Sequence, residues 1–176
     1  ASPDDLAELS KNAVKLDVLG MNFYPQWSTK QLYIDERGRI AFREVEPDGM
    51  GFAELILDYY ERYRVPIMVT ETSAVGSHEV REQWLESSVG MVKDLRAQGV
   101  PVIGYTWFPL FTMIDWRYRF SDEPVENFYL ELGLYHLNRE KKGPRWIASP
   151  LVEQMKSYIK NSKQKVGDLR LPQMAA

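Results

Sequence analysis

Cysteine is absent from this 176-residue sequence, so neither a disulfide framework nor a thiolate-bound metal can form. Histidine is nearly as scarce: His78 and His136 stand far apart, with no metal-ligand spacing. No apolar run approaches the ~20 residues of a membrane-spanning helix. Charge of one sign is lacking too. Lys and Arg total 22 against 25 Asp and Glu, a net charge of -3, with both signs mixed along the chain. That argues against nucleic acid and membrane surfaces as partners. There is no Asn-x-Ser/Thr acceptor, and the polar, acidic stretch Ala1 to Ser10 is unlike a secretory signal. The expected location is cytoplasmic. Internal repeats and low-complexity tracts are missing as well.

What is present is a globular composition, 44% hydrophobic and 27% charged, long enough for one domain with a core. Aromatics reach 12%, with five Trp and ten Tyr. Flat aromatic faces serve carbohydrate sites and large cores alike, so the count alone decides nothing. Three stretches are near-continuously apolar: Leu16 to Tyr24, Pro66 to Glu71, and Val100 to Trp107. Parallel strands covered on both faces have this pattern. Helical spacing marks three apolar stripes between and after them. The first is Phe52, Leu55, Ile56, Tyr59, Tyr60 and Tyr63. The second is Val80, Trp84, Ser88, Met91, Val92 and Leu95, with Gly99 as its C-terminal cap. The third is Leu151, Val152, Met155, Tyr158 and Ile159, with Ser149 as N-cap and Pro150 in the first turn. A short helix is expected over Asp4 to Lys15. The alternation predicts right-handed βαβ units and a parallel sheet.

Two long loops follow strands. Pro25 to Gly49 contains an expected hairpin, Leu32-Tyr33-Ile34 against Ile40-Ala41-Phe42 around Asp35-Glu36-Arg37-Gly38. Pro109 to Leu130 follows the third strand. In an α/β barrel the C-terminal strand ends carry the chemistry. One domain is expected over 1–161, with a poorly ordered polar tail over 162–176. Lys141-Lys142 is expected to be a solvated turn.

The strand ends then carry a resemblance. Leu19-Gly20-Met21-Asn22-Phe23-Tyr24 resembles the Leu-Gly-x-Asn-Tyr-Tyr strand of family 1 glycoside hydrolases. Ile67-Met68-Val69-Thr70-Glu71-Thr72 resembles their strand ending in Ile-Thr-Glu-Asn-Gly, whose Glu is the nucleophile. Gly104-Tyr105 with Asp115-Trp116 resembles the last strand and its Glu-Trp loop. Leu132-Gly133-Leu134-Tyr135 resembles the Gly-Leu-x-Tyr segment beyond. The order and spacings fit from Leu16 to Ile159. Thr72-Ser73 replaces the family's Asn-Gly. Trp107-Phe108-Pro109-Leu110 replaces its Trp-Ser-Leu, with the tryptophan one position early. Asp115 replaces its Glu. A related family of the same clan, clan A, would fit nearly as well.

This resemblance implies an α/β fold: the C-terminal part of a (β/α)8 TIM barrel, strands six to eight with their helices, incomplete in this chain. It implies hydrolysis of β-glycosides with retention, without metal or organic cofactor. Glu71 would be the nucleophile, and Tyr24 the hydroxyl that positions it. Asn22, Trp107, Asp115 and Trp116 would bind substrate, Trp107 as the floor beneath the sugar ring. The acid/base Glu of the family, in an Asn-Glu-Pro context, has no counterpart in the sequence. Glu44 and Glu46, on the long loop after the first strand, are the local acids that could stand in its place. The implied partners are a carbohydrate substrate and the missing N-terminal barrel half or a second chain. The rival readings are a non-catalytic carbohydrate-binding relative, a part-barrel structural subunit, and an unrelated α/β barrel enzyme. Trp27, Trp84 and Trp146 are expected in the core, and both histidines in structural or solvent-facing positions.

Overall fold

A computed structural model describes residues 2–44, 50–140 and 142–163. Glu46, Lys141 and the tail from 164, together with the side chain of Glu44, lie outside the described residues. The first element is helix α1 (Pro3–Lys11), closed at its start by a capping box between Ser2 and Asp5. It ends at Asn12, short of the expected Lys15. The Asn12 side chain returns to the Glu8 carbonyl and carboxylate, a local bond that competes with further helix.

Strands β1 (Leu19–Phe23), β4 (Ile67–Thr72) and β5 (Val102–Trp107) form one parallel sheet in the order β1-β4-β5. Between the first two lie a short helix α2 (Pro25–Ser28), an antiparallel hairpin β2 (Lys30–Ile34) and β3 (Ile40–Glu44), and helix α3 (Met50–Tyr63). The hairpin turn is where the sequence places it. Asp35 Oδ1 accepts from the backbone of Arg37 and Arg39, and Gly38 takes a positive φ of 71°, the conformation glycine supplies without steric cost. Helix α4 (His78–Ala97) joins β4 to β5. It starts at the Ser77 cap and is followed by Gly99 at φ 87°.

The sheet's apolar character is used on one side. Met21, Phe23, Ile67, Val69 and Val102 are buried among α3, α4 and the last helix, α5 (Leu151–Lys163). Phe23, Phe52 and Trp84 form an aromatic knot with centroids 5.4 to 5.8 Å apart. The opposite face is open: Gly20, Asn22 and Ile103 are exposed. Continuous apolar strands had implied cover on both faces, but among the described residues only the helical side supplies it. Three strands close no barrel.

Two helix details differ from the pattern read in the sequence. The buried face of α4 is Arg81, Trp84, Leu85, Ser88, Val92 and Leu95, with Val80 exposed. The arginine stem packs while its Nη1 donates to the Gly133 carbonyl at 3.3 Å, leaving Nε buried without a partner among the described residues. At α5 the Ser149 hydroxyl is buried without a hydrogen-bond partner. Its carbonyl, not its side chain, begins the helix by accepting from Val152.

After β5 the chain makes the long excursion expected to be loop. It contains short paired strands β6 (Met113–Ile114) and β7 (Tyr129–Leu130), 3-10 turns at Trp116–Phe120 and Val125–Phe128, and a pair β8 (Tyr135–Leu137) and β9 (Trp146–Ala148).

Candidate active site

Glu71 stands one residue before the end of β4, beside Asn22 in the register with β1. Its neighbours hold it there. Thr72 is fully buried, and its hydroxyl accepts from the Trp84 indole at 2.9 Å. The Thr72 carbonyl accepts from Phe108 N at 3.0 Å. Burying Thr72 toward the helices leaves Glu71 facing the C-terminal end of the sheet.

Tyr24 follows β1 directly and caps α2. Its carbonyl accepts from Trp27 and Ser28, and the Ser28 hydroxyl accepts from Tyr24 N. This knot fixes the tyrosine backbone, and the phenol donates to Glu71 Oε2 at 2.8 Å. Burial and the adjacent carboxylate, through the hydrogen bond and its charge, raise the Tyr24 pKa well above the ordinary phenol value. Tyr24 therefore stays a neutral donor at any working pH.

Glu71 and Tyr24 line an open cleft of about 650 Å³ at the strand ends. Asp115, Trp116 and Arg117 line the same cleft from the excursion. Asp115 is less free than the sequence implies. Its Oδ1 accepts from Arg117 N at 2.8 Å, and its Oδ2 from Arg117 Nε at 3.0 Å and Nη2 at 2.7 Å. These hydrogen bonds, to the side chain and then the backbone, hold its carboxyl below the usual range. Asp115 is thus an ionised acceptor and a poor proton donor. Trp116 is 69% exposed, and the Arg119 guanidinium lies 4.8 Å from its ring centroid.

Two expected ligands sit elsewhere. Trp107 is 5% exposed and donates its indole N–H to the Leu132 carbonyl at 2.9 Å. It anchors the excursion from inside and does not line the cleft. Phe108 does line it. The shifted register Trp107-Phe108-Pro109-Leu110 held that signal: counted back from Leu110, the aromatic of the motif falls on Phe108. Asn22 lies on the open face of the sheet, its Oδ1 accepting from the Thr70 hydroxyl at 2.7 Å, and is outside the cleft lining.

Gln26 and Trp27 line the cleft without having been expected there. Trp27 was assigned to the core but packs against Tyr24 at 5.1 Å with one side exposed. Trp84 is in the core, and Trp146 is half-buried against Phe111 at 4.5 Å. His136 pairs with Glu131 at 2.7 Å, a contact within the excursion. A second groove of about 860 Å³ runs between α4, β5 and α5 and has no carboxylate in its lining.

No family model matches this sequence, and no curated protein sequence matches it. Solved structures do match. The β-glucosidase from Thermotoga maritima, solved in complex with glucoimidazole, is similar with a TM-score of 0.67 and 20% identity, over 90% of this chain and 37% of its own. A β-glucosidase from Exiguobacterium marinum gives 0.69 and 18%, over 92% and 38%. A family 1 β-glucosidase from Exiguobacterium antarcticum B7 gives 0.68 and 19%, over 94% and 38%. At these identities the likeness is one of fold. This chain has the fold of part of a family 1 β-glucosidase and spans little more than a third of those chains.

Proposed function

We propose that this chain is the nucleophile-bearing part of a retaining β-glycosidase, its three parallel strands being the sixth, seventh and eighth of a (β/α)8 barrel. One observation carries the reading. A carboxylate at a parallel strand's C-terminal end, Glu71, accepts a short hydrogen bond from a neutral tyrosine inside a cleft. In retention one ionised carboxylate attacks the anomeric carbon while a protonated one, ~5–5.5 Å away, donates to the leaving oxygen. Water then enters with that second residue acting as base, and the glycosyl–enzyme ester breaks. Tyr24 suits Glu71 to the first role, since its donated bond fixes the orientation of the carboxylate. Asp115 and Trp116 on the rim offer a carboxylate and an indole N–H to sugar hydroxyls, and Phe108 a flat apolar surface.

The second carboxylic acid is the missing part. Among the described residues lining the cleft, Glu71 and Asp115 are the two acids, and Arg117 keeps Asp115 ionised. The acid therefore comes from barrel segments or a partner outside these residues, and the 176-residue chain alone does not hydrolyse glycosides.

The test uses the full-length protein containing this chain and an aryl β-glycoside. Glu71→Gln is expected to lower kcat by on the order of 10³-fold or more. A 2-deoxy-2-fluoro glycoside is expected to leave its sugar on Glu71, read by peptide mass. Hydrolysis that survives Glu71→Gln, or a label on another residue, ends the assignment. Efficient turnover by the purified 176-residue chain as a monomer would end the claim that the acid lies elsewhere.

A further inference from the structure

One wall of the cleft is a short ribbon. Strands β6 and β7 pair Met113 with Leu130 and Ile114 with Tyr129. The same antiparallel register continues past both ends of the ladder. Toward the tip, Asp115 N donates to the Phe128 carbonyl at 2.7 Å. Toward the base, the next pair is Thr112 with Glu131, and the Thr112 hydroxyl donates to Glu131 Oε2 at 2.8 Å. Successive side chains of a strand point to opposite faces. Met113, Asp115, Leu130 and Leu132 line the cleft, and neither Thr112 nor Glu131 does. The two residues therefore belong to the back of the wall.

On that back face Glu131 gathers ties to the rest of the molecule. Its Oε2 lies 2.7 Å from His136 Nδ1 on β8, and its Oε1 lies 3.4 Å from Arg139 Nη2. Thr112 completes the clasp. Its hydroxyl accepts from Leu137 N at 2.8 Å, and its own N–H donates to the Tyr135 carbonyl at 3.0 Å. Trp107 and Arg81 hold the exit of β7 at the Leu132 and Gly133 carbonyls. The Glu131 carboxylate joins the start of β6 to that exit, and both to β8. Toward the tip, apolar burial adds little, since Ile114, Trp116 and Phe120 are exposed. A ladder of two residues per strand is weak by itself, so the direction in which the ribbon leaves β8 is set at its base.

We infer that Glu131 is a positioning residue whose carboxylate, behind the cleft wall, sets where the ribbon holds Asp115 relative to Glu71. Glu131 touches no substrate and acts through Asp115. This role rests on the glycosidase reading above. Its effect falls on substrate binding at the rim. The attacking group is held separately, by β4 and by the Tyr24 hydroxyl.

The experiment is a double-mutant cycle in the full-length protein, with an aryl β-glycoside as substrate and thermal unfolding run beside the kinetics. Glu131→Gln should raise KM about fivefold and change kcat by less than about twofold. Asp115→Asn should raise KM at least as much. In the Asp115→Asn background, Glu131→Gln should add nothing to KM, because the group it positions has already been removed. A merely structural role lowers the melting temperature and leaves the KM of the folded protein unchanged, and that result overturns the inference. KM losses that multiply in the double variant also overturn it, since Glu131 would then act independently of Asp115. Should Glu131→Gln fail to fold, His136→Phe removes the ring nitrogen from the same clasp and must show the same KM rise and the same lack of additivity with Asp115→Asn. Hydrolysis indifferent to Glu71→Gln would overturn the glycosidase reading and this role with it, a result distinct from an unchanged KM in Glu131→Gln.

Discussion

The sheet with its helices and the excursion between β5 and α5 are built by different means. Of the buried apolar side chains, Leu132 and Leu134 are the excursion's contribution, and the rest belong to the strands, helices and their tight connections. The excursion is held by polar bonds to backbone. Trp107 Nε1 reaches Leu132 O, and Arg81 reaches Gly133 O. Asp115 N reaches Phe128 O at 2.7 Å, and the Asn138 amide serves the carbonyls of Lys142 and Pro144. Apolar burial is non-directional and tolerates small shifts, whereas a buried hydrogen bond has one geometry. The half that carries Asp115, Trp116 and Phe108 is therefore the half more easily disturbed by a small change.

Glycine substitutions break the comparison most sharply. A Cβ on Gly133 would lie 2.5 Å from the Phe111 carbonyl carbon and 2.6 Å from its oxygen, both backbone. A Cβ on Gly90, inside α4, would meet nothing within 4 Å. Gly133→Ala is expected to cost about 3 kcal/mol or more, since backbone has nowhere to yield. Gly90→Ala is expected to stabilise by ~0.5–1 kcal/mol through helix propensity. Urea unfolding of the two variants measures both. Equal effects would mean that the excursion is as forgiving as the sheet.

Trp107→Phe sharpens the same point at smaller scale. The ring is nearly conserved, but the buried Leu132 carbonyl loses its donor, which costs about 1–3 kcal/mol. If Trp107 instead contacted substrate, the loss would appear in KM with unfolding unchanged. Thermal unfolding set beside substrate titration separates the two outcomes.

The same division decided what the sequence disclosed. Strands and helices were legible because burial against one partner layer leaves a period in the chain. The hairpin was legible because Asp35 and Gly38 are local turn chemistry. Glu71 and Tyr24 stood at motif positions, and the geometry brings them within one hydrogen bond. Whether Trp107 or Phe108 faces the cleft turns on a single residue of register at a strand end, where alternation reverses every side chain. Both are aromatic, so composition cannot choose between them. Gln26 and Arg117 carry no periodic signal. Gln26 meets Val75 far along the chain, and Arg117 turns back on Asp115 within one short 3-10 turn; neither contact recurs along the chain. The open sheet face was misread for a plainer reason: the apolar pattern records the layers a strand is built to meet, including any that the described residues do not supply.

The smallest expected effect concerns how the excursion responds to acid. Glu131 Oε2 accepts from the Thr112 hydroxyl at 2.8 Å and lies 2.7 Å from His136 Nδ1, and Oε1 lies 3.4 Å from Arg139 Nη2. Burial raises the carboxyl pKa, but the hydrogen bonds from His136 and Thr112 and the charges of His136 and Arg139 together bring it below the usual value. A folded-state pKa below the unfolded one gives stability that is present above the unfolded pKa and lost as pH falls through the folded pKa. Glu131→Gln should therefore cost stability at neutral pH and cost less and less as the solution is acidified below about pH 4. The carboxylate is one-third exposed, so solvent screening keeps the neutral-pH difference to about 1 kcal/mol or less. Unfolding curves of both proteins from neutral pH down to about pH 3 give the comparison. A gap between wild type and Glu131→Gln that widens on acidification below about pH 4 would reverse the sign and show that the pair is held by something other than the ionised carboxylate.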